Sequence, residues 1–284
     1  MVVFPNCKIN LGLNIVRKRS DDEFHDLETV FYPVKWHDGL EVINKRDLTT
    51  DTQLPDQASL STSGLDIEDP KNNSCIKAYS ILKREFPETI GPVDIHLHKT
   101  IPAGAGLGGG SSDAASTLIL LNKIFGIGLD SEQLQNYARF VGSDCPFFIA
   151  NKPCFGIGRG DILSPIAVDL SLYKLILVYP GIHVSTGKAF SLIKPTKQSK
   201  SIISIIQQPV GTWKKELHND FENPVFDLHP EIRSIKEKLY GAGAAYASMT
   251  GSGSCVYGLF DKTATIGLSF PSNYLVKELN CELQ

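Results

Sequence analysis

Ile101-Pro-Ala-Gly-Ala-Gly-Leu-Gly-Gly-Gly-Ser-Ser-Asp-Ala-Ala-Ser116 is the stretch that decides the fold of this chain. Five glycines fall within residues 104–110, two serines follow, and an apolar run typical of a helix begins at Ala114. Glycine accepts a positive φ and lets the backbone approach a ligand closely, and the N–H groups in the first turn of a helix have no partner inside the helix. The stretch therefore predicts a phosphate-binding loop that leads into a helix, with main-chain donors at residues 106–112 and help from the two serine hydroxyls.

Other interpretations of this stretch are possible. A tight turn before a buried helix needs only about two glycines, fewer than the stretch contains. Gly104, Gly106 and Gly109 have the G-x-G-x-x-G spacing of a dinucleotide-binding fold, with Asp130 as the ribose acid. However, residues 93–99 alternate apolar and polar side chains, whereas the first strand of such a fold is buried on both faces. Binding of a nucleotide triphosphate by the loop is therefore the favoured interpretation.

The composition excludes several classes of protein. The 284 residues contain 28 Lys and Arg against 31 Asp and Glu, a formal charge of −3 at pH 7. Such a chain has no global reason to bind nucleic acid or an anionic membrane surface. The first residues lack a secretory signal, and no run reaches the roughly 20 apolar residues of a membrane span. The six cysteines show no metal-ligand spacing, so reduced thiols and a cytoplasmic location are expected.

Hydrophobic periodicity predicts antiparallel strands with grouped helices, which is the α+β class. Asp130-Ser-Glu-Gln133 carries the pattern of a helix capping box. Residues 51–70 are polar and rich in turn formers, so a surface excursion is expected there. Strands are expected at 8–16, 27–34, 40–44, 93–99 and 172–179, helices at 73–86, 185–194, 213–222 and 230–240, and a strand–turn–strand unit at 244–260. The Gly/Ser turn of that last unit is expected to close over the phosphate loop.

Three separated segments together match a known pattern. They are Lys8-Ile-Asn-Leu11, the stretch from Pro102 to Ala115, and Thr250-Gly-Ser-Gly-Ser254. In this order they resemble the three motifs of the GHMP small-molecule kinases. Within that family, residues 24–31, residues 142–147 and the triple glycine before Ser-Ser resemble the branch that phosphorylates the 2-hydroxyl of 4-diphosphocytidyl-2-C-methyl-D-erythritol. The resemblance implies a step in the non-mevalonate route to isoprenoid precursors.

The resemblance also implies an architecture and partners. The expected fold is a two-domain α+β GHMP kinase fold with the active site in the cleft between the domains. A composition shift around residues 151–159 suggests domains 1–155, with the ATP loop and the catalytic residues, and 156–284. ATP is the expected phosphoryl donor, and the expected substrate is a small molecule with a cytidine diphosphate group. Mg²⁺ is expected with ATP, no protein ligand for it is predicted, and a monomer or weak homodimer is expected.

Asp144 matches the family's catalytic aspartate, and Lys8 matches its partner lysine. Phosphoryl transfer requires a hydroxyl to be aimed in line and relieved of its proton while charge is stabilised. A carboxylate can orient the hydroxyl and accept its proton, and a nearby ammonium can keep that carboxylate ionised and add positive charge. Considered alone, Asp144 could be a cap residue and Lys8 a solvated strand residue. Their coincidence with the loop favours catalytic roles.

The remaining site residues follow from their motif positions. Phe24 and Phe190 are expected to sandwich the cytosine ring, with core packing as the alternative. His25 and Lys99 match cytidine and substrate contacts, and Asn73 matches an adenine contact. The loop residues expected to bind ATP are Pro102, Gly104, Gly106, Leu107, Gly108, Gly109, Gly110, Ser111 and Ser112.

Asp113 is expected in the first turn of the phosphate-binding helix, pointing outward, because an inward carboxylate would repel phosphate. Two other functions stay open at this point. One is a GHMP kinase acting on a different alcohol, and the other is a nucleotide-binding sensor that has lost catalysis. A dehydrogenase built on the G-x-G-x-x-G spacing is the more distant alternative.

Overall fold

The structure, a computed structural model, describes residues 1–20, 22, 24–45, 57–67, 69, 72–193, 195 and 200–281. The strands are β1 (Val2–Val3), β2 (Asn6–Lys18), β3 (His25–His37), β4 (Gly39–Asn44), β5 (Ser59–Gly64), β6 (Val93–Lys99), β7 (Cys154–Ile157), β8 (Ile162–Pro165), β9 (Tyr173–Tyr179), β10 (Tyr246–Met249), β11 (Val256–Asp261) and β12 (Leu275–Asn280). The helices are α1 (Ser74–Glu85), α2 (Gly109–Ile124), α3 (Ser131–Val141), α4 (Cys145–Ala150), α5 (Thr186–Leu192), α6 (Ile202–Ile206), α7 (Val210–Glu216), α8 (Glu222–Leu228) and α9 (Pro230–Gly241). The predicted α+β content is confirmed.

Two compact units form within the chain, and each is assembled from several segments. The first contains Met1–Cys7, Trp36–Ala103 and Gly108–Asn151, and the second contains Lys8–Lys35, Gly104–Leu107 and Lys152–Gln284. The chain therefore passes from one unit to the other more than once. The single domain boundary at residues 155/156 stays a prediction.

The first unit is a sheet in the order β1-β4-β6-β5, packed against helices. Its strand β6 coincides with the predicted strand 93–99. Val93, Ile95 and Leu97 are buried on one face, whereas His96 and His98 are exposed on the other. The parallel pairing of β5 with β6 makes α1 a crossover between them. The apolar face of the sheet and the inner faces of α1, α2 and α3 form one core.

Local capping signals in this unit are confirmed. Asn73 is the N-cap of α1, and its side chain accepts a hydrogen bond from the Cys75 N–H at 2.8 Å. Asp130 and Gln133 form the predicted capping box at the start of α3. Each device supplies acceptors or donors to helix-end groups that have no partner within the helix.

The second unit contains two sheets, in the orders β2-β3-β7-β8 and β10-β11-β9-β12. Its core combines the inner faces of β9 and β11 with helices α8 and α9. The predicted strand–turn–strand unit at 244–260 is the antiparallel pair β10 and β11. Among the described residues, no helix combines the length and apolar character needed to cross a bilayer. All six cysteines are buried free thiols, as expected.

The predicted helix at 213–222 is confirmed at its start, within α7, and is wrong after residue 216. The chain leaves helical structure after α7 and re-enters it at α8. The residues between the two helices make hydrogen bonds to distant segments of the chain. Asn219, 3 % exposed, donates to the carbonyl oxygens of Met249 and Gly251 at 2.8 and 2.9 Å. The Asp220 N–H donates to the Leu13 carbonyl at 2.9 Å. Helical periodicity cannot reveal partners so distant along the chain.

Several short elements were missed by the sequence analysis. They are strand β1, the hairpin of β7 and β8, edge strand β12, and helices α4, α6 and α8. Strand β5 forms within the excursion predicted at 51–70, where Ser59–Gly64 pairs with β6. Helix α5 begins after the Ser185 N-cap as predicted, and Lys194, its predicted end, lies outside the described residues.

Replacing Asn219 with Ala should destabilise the protein by roughly 2–4 kcal/mol, because it leaves two buried carbonyl oxygens and the Phe221 N–H without their hydrogen-bond partner. Urea unfolding followed by circular dichroism measures this free energy. Asn136→Ala, on the exposed face of α3, is the matched control and should change the free energy little. Equal stability of the two variants would contradict the role given to Asn219.

Candidate active site

The glycine-rich stretch leads directly into α2, as predicted. Gly108 is the N-cap residue and lies in the left-handed region, with φ 70° and ψ 16°. The Ser112 N–H donates to the Gly108 carbonyl at 2.9 Å, so the amides of Gly109, Gly110 and Ser111 precede the first hydrogen bond of the helix. Together with the positive end of the helix dipole, these amides form a site suited to an anion.

Gly106 fixes the middle of the loop through a contact that only glycine allows. Its φ is +78°, and a Cβ atom there would lie 2.0 Å from the carbonyl oxygen of Thr250. The Thr250 hydroxyl lies 3.1 Å from the Gly106 carbonyl oxygen, and the Cys255 N–H donates to the Ala105 carbonyl at 3.1 Å. The late Gly/Ser stretch therefore packs on the phosphate loop, as expected.

Lys8 lies in β2 beside this loop. Its N–H donates to the Leu107 carbonyl at 2.9 Å. The residue is only 3 % exposed, so the solvated-strand alternative is wrong. Its ammonium donates to Asn10 Oδ1 at 2.6 Å and lies 5.4 Å from the centre of the Phe31 ring. The charge is therefore held inside the protein next to the segment predicted to bind ATP.

Asn10 is a hydrogen-bonding hub that the sequence analysis missed. It is 2 % exposed, and its Oδ1 accepts the Gly251 N–H at 3.0 Å in addition to the lysine. Its Nδ2 donates to the Thr29 hydroxyl at 2.9 Å, and its N–H donates to the Thr250 hydroxyl at 3.1 Å. Residues two apart on a strand share a face, so the Lys8-x-Asn10 spacing was the available signal. Asn10 ties the lysine to the Gly/Ser stretch that packs on the loop.

Asp144 occupies the N-cap position of α4, but its side chain makes no capping hydrogen bond. The cap-residue alternative therefore does not account for its carboxylate. Burial raises the pKa of the neighbouring Cys145 thiol to about 12, and the nearby side chain of Ser111 in the first turn of α2 opposes that shift. Asp144 is thus held close to the helix end predicted to bind phosphate.

Asn73 lies near the same helix end. The hydroxyl oxygen of its neighbour Ser74 is 3.9 Å from the position that a Cβ atom on Gly110 would occupy. The starts of α1 and α2 are therefore adjacent. The adenine contact of Asn73 stays a prediction, and the structure gives its side-chain oxygen a capping role.

Lys99 lies in a buried ion cluster. The residue is 5 % exposed, and its ammonium pairs with the carboxylates of Asp38 and of Asp113, the latter at 2.8 Å. The expectation that Asp113 points outward is wrong, since this residue is 2 % exposed. It is also not in the first turn, because α2 begins at Gly109, before the serines. The substrate contact of Lys99 stays a prediction, and the structure gives its ammonium two carboxylate partners.

The cluster combines one ammonium with two carboxyl groups away from water. Burial raises the pKa of Asp113 from 3.8 to about 7, opposed by Lys99 and reinforced by Asp38. Burial alone would lower the pKa of Lys99, but the two carboxylates raise it, so the ammonium stays charged. Asp113 Oδ1 is buried without a hydrogen-bond partner among the described residues. Protonation of Asp113 removes the excess negative charge of the cluster.

Aromatic rings gather where the cytidine contacts were predicted. His25 and Phe190 stack with ring centroids 4.9 Å apart and an interplanar angle of 25°. Phe24 is 52 % exposed, so core packing does not explain it, and its ring lies 4.9 Å from the guanidinium of Arg159. The structure thus gives each predicted stacking ring a different partner, and the Phe24–Phe190 sandwich stays a prediction. Arg159, in the turn between β7 and β8, was missed, although its glycine-flanked position was a signal.

The side chain of His25 is suited to recognising a ligand in its uncharged form. Burial lowers the pKa of its imidazole, and the positive charge of Lys18 lowers it further. A neutral imidazole has one donor and one acceptor nitrogen. Such a ring can hydrogen-bond a nucleobase without adding charge.

The dinucleotide-binding alternative requires Asp130 to bind a ribose, but the structure gives its carboxylate another role. Asp130 caps α3, and its Oδ1 accepts the Gln133 N–H at 2.8 Å. Within the described part of the chain, no group of three or more His, Cys, Asp or Glu side chains is arranged to hold a metal ion.

Comparison with known proteins decides the family. The family models for the GHMP kinases N terminal domain and the GHMP kinases C terminal match residues 73–152 and 202–267. The chain is 50 % identical over 261 residues, 92 % of either sequence, to a Bacteroides fragilis protein named 4-diphosphocytidyl-2-C-methyl-D-erythritol kinase. This chain belongs to the GHMP kinase family. It is therefore a kinase, and ATP use follows from the family.

Further relatives of this GHMP kinase agree. A Cytophaga hutchinsonii protein of the same name is 46 % identical, covering 92 % of this chain and 93 % of that one. A solved 4-(cytidine 5'-diphospho)-2C-methyl-D-erythritol kinase matches with a TM-score of 0.75 and 30 % identity, over 91 % of this chain and 90 % of that one. A mevalonate kinase structure matches with a TM-score of 0.68 at 14 % identity, over 92 % of each chain, and shares the fold. The predicted GHMP kinase fold is confirmed.

Replacing Asp113 with Asn should flatten the dependence of stability on pH. A carboxyl whose pKa rises from 3.8 to about 7 on folding binds its proton more tightly in the folded state. Its contribution to stability is therefore complete below about pH 4 and is lost as the pH rises through about 7. Thermal unfolding across this window should show the wild type losing stability that Asp113→Asn retains. Asp227→Asn, on an exposed side chain, should follow the wild type, and parallel profiles for all three proteins would contradict the assignment.

Proposed function

We propose that this GHMP kinase transfers the terminal phosphoryl group of ATP to the 2-hydroxyl of 4-diphosphocytidyl-2-C-methyl-D-erythritol, a step in the non-mevalonate route to isoprenoid precursors. The observation that carries the proposal is the 46–50 % identity, over 92 % of the chain, to relatives named as that kinase. The packing of Lys8 and the late Gly/Ser stretch on the phosphate loop supports it. The proposal places the reaction in the cytoplasm and assigns it to a monomer or weak homodimer.

In this proposal the ATP phosphates bind at the first turn of α2. The amides of Gly109, Gly110 and Ser111 donate to phosphate oxygens, and glycine leaves no side chain between backbone and ligand. Mg²⁺ bound to ATP would need few protein ligands, because water and phosphate oxygens would supply most of its coordination. That mode of binding is compatible with described residues that contain no group of three or more His, Cys, Asp or Glu side chains arranged around a metal. When bound, the ion neutralises phosphate charge.

Asp144 and Lys8 divide the chemistry of the acceptor hydroxyl. Asp144 orients the hydroxyl in line with the terminal phosphate and accepts its proton as the new O–P bond forms. Lys8 contributes positive charge to the transition state. Asn10 positions the ammonium of Lys8 by accepting one of its hydrogen bonds at 2.6 Å. A fixed charge of this kind needs little reorganisation during the reaction.

The cytidine end of the substrate binds at the aromatic group around His25. Stacking on Phe190 and Phe24 supplies affinity, because every base has an apolar face. The neutral imidazole of His25 supplies hydrogen bonding to the base. Arg159, over the Phe24 ring, adds a cation near the diphosphate-bearing substrate. This combination favours a charged nucleotide conjugate over a small free alcohol.

Asp144→Asn should lower kcat by about 10²–10⁴-fold, the usual contribution of a general base, and should leave ATP affinity nearly unchanged. Asn keeps the size and polarity of the side chain but cannot accept the proton. Coupled-assay release of ADP with the cytidine substrate gives kcat, and calorimetry gives the nucleotide Kd. Asp130→Asn, which preserves a helix cap, is the matched control and should remain fully active. A fully active Asp144→Asn protein would eliminate the proposed base.

Phe190→Leu should raise KM for the cytidine substrate, because it removes a base stack worth about 1–3 kcal/mol while keeping an apolar side chain in the core. KM for ATP should not change. Steady-state kinetics with each substrate varied in turn measures both constants. Phe140→Leu, at a ring that is 75 % exposed on α3, is the control.

Turnover of mevalonate, homoserine or galactose instead of the cytidine substrate would assign the chain to another alcohol, and ATP binding without any transfer would indicate a sensor.

A further inference from the structure

The residues that lead into the phosphate loop are held by a single carboxylate. Asp38 lies between β3 and β4 and is 1 % exposed. Its Oδ1 accepts the N–H groups of Thr100 and Ile101 at 2.6 and 2.9 Å. These two residues connect the end of β6 to the loop. The Thr100 side chain is held by the same turn, since its hydroxyl accepts the Trp36 Nε1–H at 3.0 Å and donates to the His37 carbonyl.

The other oxygen of Asp38 is linked to the far end of the loop through Lys99. Oδ2 pairs with the ammonium of Lys99, and that ammonium also pairs with Asp113 in α2 at 2.8 Å. Residues 102–108 form the loop, so the cluster joins the segment before it to the helix after it. One buried carboxylate therefore restrains both ends of the phosphate loop.

The two ends pack closely, with no room for a side chain at Gly109. A Cβ atom on Gly109 would lie 2.9 Å from Cγ2 of Ile101 and 3.3 Å from Nζ of Lys99. The first residue of α2 therefore rests directly on the end of β6. A displacement of Thr100 or Ile101 would be passed on to the amides at the start of the helix.

We infer that Asp38 is a positioning residue for the ATP phosphates: it fixes the end of β6 and, through Lys99 and Asp113, the start of α2, so that the first-turn amides are in place before ATP binds. The inference rests on the proposed binding of phosphate at that turn. Asp38 touches neither ATP nor substrate and acts through the backbone.

A purely stabilising role does not account for this arrangement. Burying three ionisable groups is costly, and apolar residues of similar volume often stabilise a core equally well. Hydrogen bonds and ion pairs have preferred lengths and angles, which apolar contacts lack. The cluster therefore specifies a geometry, and that geometry is the presentation of amides to an anion.

Asp38→Ala and Asp38→Asn test the inference in the full-length kinase. Asp38→Ala removes the acceptor and the charge, and it should raise KM for ATP by about 10–100-fold, the effect of a misplacement near 1 Å. KM for the cytidine substrate should stay unchanged. Asp38→Asn keeps the oxygen that accepts the Thr100 and Ile101 amides, so it should recover much of the ATP affinity. Calorimetry with MgADP gives a second measure of phosphate binding. If Asp38→Ala does not fold, Asp38→Asn tests the inference instead. Its Kd for MgADP should be several-fold higher than that of the wild type.

Leu82→Ala is the matched control, since Leu82 is fully buried in the same core but lies on α1 away from the loop. It should lower Tm and leave KM for ATP unchanged. If the Asp38 variants behave like Leu82→Ala, with a lower Tm and normal nucleotide affinity, the inference is overturned. An equal rise in KM for both substrates also overturns it. Failure of the wild type to bind ATP would instead contradict the proposed function.

Discussion

The close packing of glycine backbone against its neighbours around the phosphate loop is the constraint on which the proposed site depends. Gly106 lies against the Thr250 carbonyl, and Gly109 lies against Ile101, at distances that exclude a Cβ atom. Only a chain without side chains at these positions can bring the loop and the start of α2 so close to their supports. The exposed amides of the first turn are a consequence, because no side chain covers them. The anion site is therefore made from backbone, and its support from buried polar groups.

Two buried lysines serve this site in different ways. Lys99 faces two carboxylates, so its charge is balanced locally and it acts on the geometry of the loop ends. Lys8 donates a hydrogen bond to the amide oxygen of Asn10, which helps to orient its ammonium. Positive charge that a neighbouring carboxylate fully compensates contributes little to a distant phosphate. In the proposed function, Lys99 acts on the geometry of the loop ends and Lys8 contributes positive charge to the transition state.

The aromatic group proposed to bind cytidine would recognise its ligand mainly through apolar contact. His25, Phe190 and Phe24 offer flat faces to a base, and the lowered pKa of His25 keeps its ring neutral. In the proposed function, affinity for the base comes from stacking and desolvation, which do not depend on salt as charge pairs do. Arg159 supplies the one cation seen over these rings in the described chain. The proposed recognition of the base and that of the phosphates therefore use different chemistry, apolar surface for one and backbone amides for the other.

Local patterns in the sequence were enough to predict the loop, the helix α2, the Asp130 capping box and strand β6, because each depends on residues within a few positions of one another. The three GHMP motifs were enough to predict the family. Tertiary structure alone decided that Asp113 points inward, that Asn219 interrupts a predicted helix, and that Asn10 joins the lysine to the late Gly/Ser stretch. The partners of these residues lie far along the chain, 240 positions away in the hydrogen bond between Asn10 and Thr250. Helical and strand periodicity record which face of an element is buried, but the partner of a buried polar group is set only when distant segments pack together.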